Sequence, residues 1–271
     1  MNLFVTGGTG LVGARLLPRL RAAGHDCRAL VRPGRDLPDG VTAVEGDLLD
    51  PAPLAAALDG VDAVVHLAAL FRTDDVAGIH RVNLEGTRNL IAATLAGAPD
   101  ARFLMASTSN VYADVGPHPA REDDPADATD DYPVSKIAAE AELRASDLSW
   151  SILRFGFVYG DGDGHIDALP ARLPHLGWHP ARPLAVVHHR DIAQMVGLAL
   201  TGVADGRIVN VVADAPVTIA ELAALAGSPM APSDEPLDHP WMGHIDASVA
   251  RSLGFRPTVP TVYDAQREGI L

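Results

Sequence analysis

Three glycines at intervals of three, Gly7, Gly10 and Gly13, follow the apolar run Leu3-Phe4-Val5 and precede Leu16, Leu17 and Leu20 at helical spacing. A strand that enters a glycine turn and leaves it as a helix is a narrow constraint. The glycines let the backbone turn sharply, approach a bound group and pack the helix on the strand. The helix N-terminus then offers free N–H groups and the positive end of its dipole to an anion. A pyrophosphate suits that arrangement when the turn opens an alternating α/β chain.

The remaining chain alternates in that way. Residues 27–31 and 42–45 read as the second and third strands, and 51–58 as a short helix entered at Asp50 with Pro51 in its first turn. The run Asp62-Ala-Val-Val-His-Leu67 is apolar enough for a strand covered on both faces. A long helix over 76–95, a strand over 102–106, a helix over 132–145 and a strand over 149–153 follow. Beyond Gly160 the pattern loosens. Residues 191–200 read as helix and 208–212 as strand, and Thr218 with Glu221 forms a capping box for a helix over 218–226. This order predicts an α/β fold, a Rossmann doubly wound parallel sheet with a small C-terminal substrate-binding lobe. The expected division is 1–160 for the dinucleotide-binding part and 161–271 for the lobe, with 191–212 returning to the sheet.

The glycine turn places its expected cofactor contacts on Gly7, Thr9, Gly10, Leu11, Val12 and Gly13. At the end of the second strand an acidic residue would bond the 2′-hydroxyl of NAD, but Arg32 and Arg35 stand there. Guanidinium groups suit a 2′-phosphate, so NADP is favoured over NAD. Asp47, after the third strand, reads either as part of an adenine pocket or as a turn aspartate.

Lysine occurs once, as Lys136, beside 20 arginines. It lies four residues after Tyr132, so on a helix the two share a face. A nearby ammonium and the positive nicotinamide favour the phenolate, which lets a tyrosine exchange a proton with an alcohol or ketone near neutral pH. Hydroxyls past the C-terminal edge of the strand at 102–106 would face the same crevice, and Ser107, Thr108 and Ser109 are the candidates.

The formal charge of −14 opposes binding to nucleic acid, and no basic run offsets it. No stretch has the length of a membrane span and the start lacks a signal-like segment. The single cysteine, Cys27, suits the cytoplasm. The 11 histidines cluster late in the chain without metal-ligand spacing, so no metal is expected.

Taken together, these residues resemble the extended short-chain dehydrogenase/reductase family, also called the NAD-dependent epimerase/dehydratase family. The resemblance rests on Thr6-Gly-Gly-Thr-Gly-Leu-Val-Gly13, Gly46-Asp-Leu, His66-Leu-Ala-Ala69, Val82-Asn-Leu-Glu-Gly-Thr87, Ser107-Thr-Ser-Asn-Val-Tyr112 and the Tyr132/Lys136 pair. It continues through Leu153–Gly160, Val187–Ala193 and Leu253–Pro257. It implies Thr108, Tyr132 and Lys136 as catalytic residues, the lysine also holding the nicotinamide ribose. Cofactor contacts would extend to Asp47, Leu48 and Ala68, and Ser109, Asn110, Asn83 and His188 would lie against the substrate. A homodimer acting on a small molecule is expected.

Two departures narrow the reaction. Ser109 and Asn110 occupy the places where 4,6-dehydratases of this family carry Asp-Glu, which argues against sugar dehydration. Leu184 stands where nucleotide-sugar epimerases often place an arginine, with Arg182 nearby but out of register. Arg154-Phe-Gly156 also replaces a segment where many relatives have proline. The expected activity is hydride transfer at a secondary alcohol or ketone. A nucleotide-sugar epimerase with tightly held NAD and a non-catalytic dinucleotide sensor are the alternatives.

Overall fold

The computed structural model describes residues 1–113 and 116–271. Its centre is a seven-stranded parallel sheet made by β1 (Asn2–Thr6), β2 (Asp26–Val31), β3 (Thr42–Glu45), β4 (Ala63–His66), β5 (Arg102–Thr108), β6 (Ser149–Phe155) and a strand at Arg207–Val211. The spatial order runs from the 207–211 strand through β6, β5, β4, β1 and β2 to β3. The order reverses between β1 and β4, and the crevice at that switch point is where such sheets hold ligands.

Side-chain alternation along the strands builds two cores. Leu3 and Val5 of β1, Ala63 and Val65 of β4, and Leu153 and Phe155 of β6 face one side. There they meet α1 (Leu11–Ala22), which carries Leu16, Leu17 and Leu20. Phe4, Val64, Phe103 and Ile152 face the other side. That face is covered by α2 (Leu54–Ala57), by the helix 76–97 and by α5 (Asp131–Arg144). Successive strand residues point to opposite faces, so near-continuous apolar strands require cover on both.

The long helix expected over 76–95 has three parts: α3 (Val76–His80), a π-helical turn (Arg81–Glu85) and α4 (Gly86–Gly97). The wide turn centres on buried Asn83 and carries its side chain inward. Single π turns inside α-helices accompany functional sites.

After β6 the chain forms β7 (Phe157–Tyr159), α6 (Leu169–Leu176), β8 (Pro183–Leu184), β9 (Val186–His188) and α7 (His189–Leu200). The strand at Arg207–Val211, β10, then returns to the sheet beside β6. Next come β11 (Val217–Thr218) and α8 (Ile219–Leu225), which begins with the complete capping box of Thr218 and Glu221. The last helices are α9 (Ser248–Ser252) and α10 (Val262–Glu268). Tyr159, Leu169, Leu173, Val186, Ile219 and Leu222 form a separate core for this lobe. Among the described residues, no helix is long and apolar enough to cross a membrane.

Candidate active site

The glycine turn has the shape its spacing predicts. Gly7 adopts φ +72°, and a β-carbon there would lie 2.6 Å from the Ala68 backbone nitrogen. At Gly13 a β-carbon would lie 2.2 Å from the Gly7 carbonyl oxygen, so helix and turn pack backbone to backbone. A β-carbon on Gly10 would meet only the Gly7 carbonyl, at 3.3 Å. Gly10 is the N-cap of α1 and gives no side-chain hydrogen bond, leaving the first N–H groups of the helix directed outward. Thr9 and Leu11 are exposed on the turn and Val12 is half-buried. These features fit a pyrophosphate cradle. Arg32 and Arg35 are exposed just beyond β2.

A buried chain of hydrogen bonds holds the turn against β4. His66 Nδ1 lies 2.7 Å from Thr6 Oγ1 and His66 Nε2 lies 2.9 Å from Thr87 Oγ1. The Thr87 hydroxyl donates to the Asn83 carbonyl at 2.6 Å, so His66 must donate through Nε2 and accept the Thr6 proton at Nδ1. Thr6 Oγ1 in turn accepts the Ala68 N–H at 3.2 Å. Burial, with the Lys136 charge adding to it, pushes the His66 pKa down to about 3, which keeps the ring neutral as the network requires.

Asn83 and His188 are bonded within the protein. Asn83 accepts the Leu70 N–H at 2.7 Å and donates to the Leu70 carbonyl and Ser135 Oγ, both at 3.0 Å. Its amide ties the loop after β4 to α5 and has no donor left for substrate. His188 is fully buried. Its Nε2 contacts the Ile270 carbonyl at 3.0 Å and its Nδ1 accepts the Arg190 N–H at 3.1 Å, capping α7. Sequence position cannot show that a side chain has already spent its hydrogen bonds internally.

Asp47 is exposed and closes a turn by accepting the Leu49 N–H at 2.9 Å. Leu48 is buried, and its carbonyl accepts from Asn89 Nδ2 at 2.8 Å. Ala68 is half-buried beside Gly7.

Tyr132 and Lys136 lie in the first turns of α5, whose N-cap is Asp130. Lys136 is 2% exposed, and no hydrogen bond to its ammonium occurs among the described residues. Desolvation lowers its pKa to about 8, against an opposing pull from the Glu140 carboxylate one turn below. A buried side chain whose ammonium has no hydrogen bond among the described residues fits a site for ribose hydroxyls. Tyr132 is half-buried, with its ring packed at a 34° tilt against Phe71, 4.2 Å between centroids. Burial pushes its pKa up to about 12, and the cation that opposes this is Arg72. In the free protein desolvation outweighs the opposing charge at Tyr132.

Thr108 ends β5 and accepts the Asn110 N–H at 3.1 Å, leaving its hydroxyl proton for another acceptor. Ser109 is half-buried and Asn110 exposed at the same edge. Ser107 points elsewhere, donating to the buried Glu140 carboxylate. That carboxylate also takes two bonds from Arg154, at 3.1 and 2.6 Å, and Arg154 donates to Tyr112 at 2.7 Å. Tyr112 donates to Asn210 at 2.9 Å, and Asn210 donates to the carbonyls of Ala120 and Asp246. This network runs beneath Lys136 from α5 across β5, β6 and β10 to the C-terminal segment. The sequence reading missed Glu140, although its position four residues after Lys136 places it on the same helix face. It took Arg154 only as a departure from relatives.

A groove of about 650 Å³ lined by Asp62, Gly97, Pro99 and Arg102 opens at the N-terminal edge of the sheet, at the opposite end from these residues. Among the described residues, no group of three His, Cys, Asp or Glu side chains is arranged to hold a metal.

Comparison with known proteins agrees with this architecture. A 3-diazoavenalumate denitrifying reductase from Streptomyces is 36% identical over 180 residues, covering 61% of this chain and 59% of that protein. A ceramide reductase from Caulobacter vibrioides is 34% identical over 199 residues, covering 70% of this chain and 57% of that protein. The matched regions thus span less than two thirds of these relatives. A short-chain dehydrogenase/reductase superfamily protein from Agrobacterium tumefaciens, solved with bound NAD, superposes with a TM-score of 0.82 at 26% identity, covering 99% of this chain and 95% of that one. Residues 3–212 match the NAD dependent epimerase/dehydratase family, so the chain belongs to it.

Proposed function

We propose that this protein is an NADP(H)-dependent oxidoreductase that reduces a ketone or oxidises the corresponding secondary alcohol, with Tyr132 as acid/base. The observation that carries the reading is Lys136, a 2% exposed residue whose ammonium has no hydrogen bond among the described residues, one helical turn from Tyr132 on the helix packed against β5, which ends at Thr108. When bound, the dinucleotide supplies or takes up the hydride. Tyr132, kept protonated by burial, donates its proton to the carbonyl oxygen as that oxygen gains charge. Thr108 orients the same oxygen with its free hydroxyl proton. Lys136 holds ribose hydroxyls, and at neutral pH it remains charged because its pKa of about 8 is still above 7.

The reductase names of the two relatives support reduction. Arg32 and Arg35 form no ion pair among the described residues, and this supports a 2′-phosphate on the dinucleotide.

The test is NADPH oxidation across a panel of ketones and aldehydes. Tyr132→Phe should lower kcat by about 10²–10⁴-fold while dinucleotide affinity stays within error. Undiminished activity in that variant overturns the reading. A dinucleotide that stays bound and cycles with no net change in nicotinamide absorbance does so too, in favour of an isomerase.

A further inference from the structure

One buried carboxylate beneath the site takes no part in the proposed chemistry. Glu140 lies on α5 four residues after Lys136, which lies four after Tyr132, so the three side chains share one face of the helix. Its Oε1 accepts from the Ser107 hydroxyl and from Arg154 Nε, the latter at 3.1 Å, and its Oε2 accepts from Arg154 Nη2 at 2.6 Å. Ser107 and Arg154 are direct register partners on β5 and β6. The carboxylate therefore joins α5 to two neighbouring strands at one level of the sheet. The residue after Ser107 is Thr108, so the same clamp fixes the end of β5 against the helix that carries Tyr132 and Lys136.

The clamp also bears on charge. Lys136 and Glu140 are both buried, and a desolvated ammonium sheds its proton unless an opposite charge stands close by. The other elements packed around α5 bring no second buried carboxylate. His66 of β4 is neutral, and Tyr132 keeps its proton through burial. Ser107 and Thr108 of β5 are hydroxyls, and Arg154 of β6 is a cation already bonded to Glu140. Glu122 lies beyond Arg154 and accepts the Asn210 N–H at 2.8 Å. Towards α3 and α4 the contacts His80–Asp131 and Arg88–Glu142 are made by exposed side chains, where water screens them. Glu140 is thus the buried anion one turn from Lys136, and its charge works against desolvation there.

We propose that Glu140 is a positioning residue of this site: its carboxylate pins α5 to β5 and β6 and supplies the counter-charge that keeps Lys136 an ammonium, ready for the dinucleotide. Arg154 moderates the device, because it shares the carboxylate and limits how much of its charge Lys136 feels. The functional half of the inference rests on the reading of Lys136 as a ribose contact. The electrostatic half rests on the clamp alone.

Lys136 is the only lysine in the chain, so protein made with lysine carrying carbon-13 at Cε gives one labelled side-chain resonance, whose pH titration reads this group directly. In dinucleotide-free wild type the midpoint should lie near 8. Glu140→Gln should lower it by about one pH unit or more, Glu140→Asp should restore most of that shift, and Arg154→Met should raise it, since the carboxylate then has no other cation. Loosened packing alone would admit water and move every midpoint up towards 10.5, so the downward shift is not what a merely structural residue gives. Glu140→Gln combined with Arg154→Met leaves no buried charge unpaired in the clamp, and it should titrate below Arg154→Met, from which it differs only at residue 140. A midpoint that stays or rises in Glu140→Gln, or in the double variant relative to Arg154→Met, overturns the positioning role. NADPH binding over the same pH range completes the test: at pH 8 the Kd of Glu140→Gln should rise about fivefold, the loss of ammonium that a one-unit shift produces. A midpoint that moves while NADPH affinity does not follow sustains the charge role and instead overturns the reading of Lys136 as a dinucleotide contact.

Discussion

Lys136 should destabilise the protein, and replacing it with methionine measures by how much. The Lys136 residue is 2% exposed, and burial lowers its pKa from 10.5 to about 8 despite the attraction of Glu140. The unfolded chain therefore holds this proton more tightly than the folded one. Stability from this group is lowest below pH 8 and rises as pH climbs from about 8 towards 10.5, where both states lose the proton. At pH 7 the gap corresponds to a cost of about 3 kcal/mol. Lys136→Met keeps an unbranched chain of similar length and removes the charge, while Glu140 retains Arg154 and Ser107. For a chain of this size a gain of that order raises Tm by roughly 6–10 °C.

The assay is urea and thermal unfolding of dinucleotide-free wild type and variant from pH 7 to pH 10. The variant should be more stable at pH 7, and its advantage should shrink to about 1 kcal/mol at pH 10. Dinucleotide affinity should fall at the same time, the usual relation between a strained site and stability. Equal or lower stability of the variant at pH 7, or an advantage that does not narrow with pH, would refute the argument that desolvation dominates at this position.

Three further outcomes test other parts of the site. Glu140→Gln leaves the buried Arg154 without its charge partner and should cost about 3–5 kcal/mol in urea unfolding, whereas Glu140→Gln with Arg154→Met should recover much of that loss. Gly13→Ala puts a methyl 2.2 Å from the Gly7 carbonyl, so the turn must open and dinucleotide titration should show weaker binding, with the sheet preserved by circular dichroism. Arg32→Gln should reduce the preference for NADPH over NADH by about tenfold, read as a ratio of kcat/KM values, and an unchanged ratio would assign the 2′-phosphate elsewhere.

The division between what could be read from the chain and what could not follows the range of the interactions. The glycine turn, the alternation of strands and helices, the Thr218/Glu221 capping box and the four-residue step from Tyr132 to Lys136 are local patterns. Backbone sterics and helical periodicity express them directly, so residue order was enough to place them. The roles of Asn83 and His188 were misplaced because their hydrogen bonds close on Leu70, Ser135 and Ile270, and His188 reaches Ile270 across 82 residues.

Other features exist only after folding. The Glu140–Arg154 pair joins neighbouring elements, but its continuation through Tyr112 to Asn210 spans 98 residues, and Arg72 meets His165 across 93. The rise of the Tyr132 pKa depends on how much water its neighbours exclude, which the spacing to Lys136 does not encode. Sequence alone determined the sheet, the glycine turn and the placing of Tyr132 and Lys136 on one helix face. Tertiary packing decided which polar groups are consumed in holding these parts and which, like the Lys136 ammonium, are left without a hydrogen-bond partner among the described residues, because hydrogen-bond capacity and desolvation belong to the assembled surroundings.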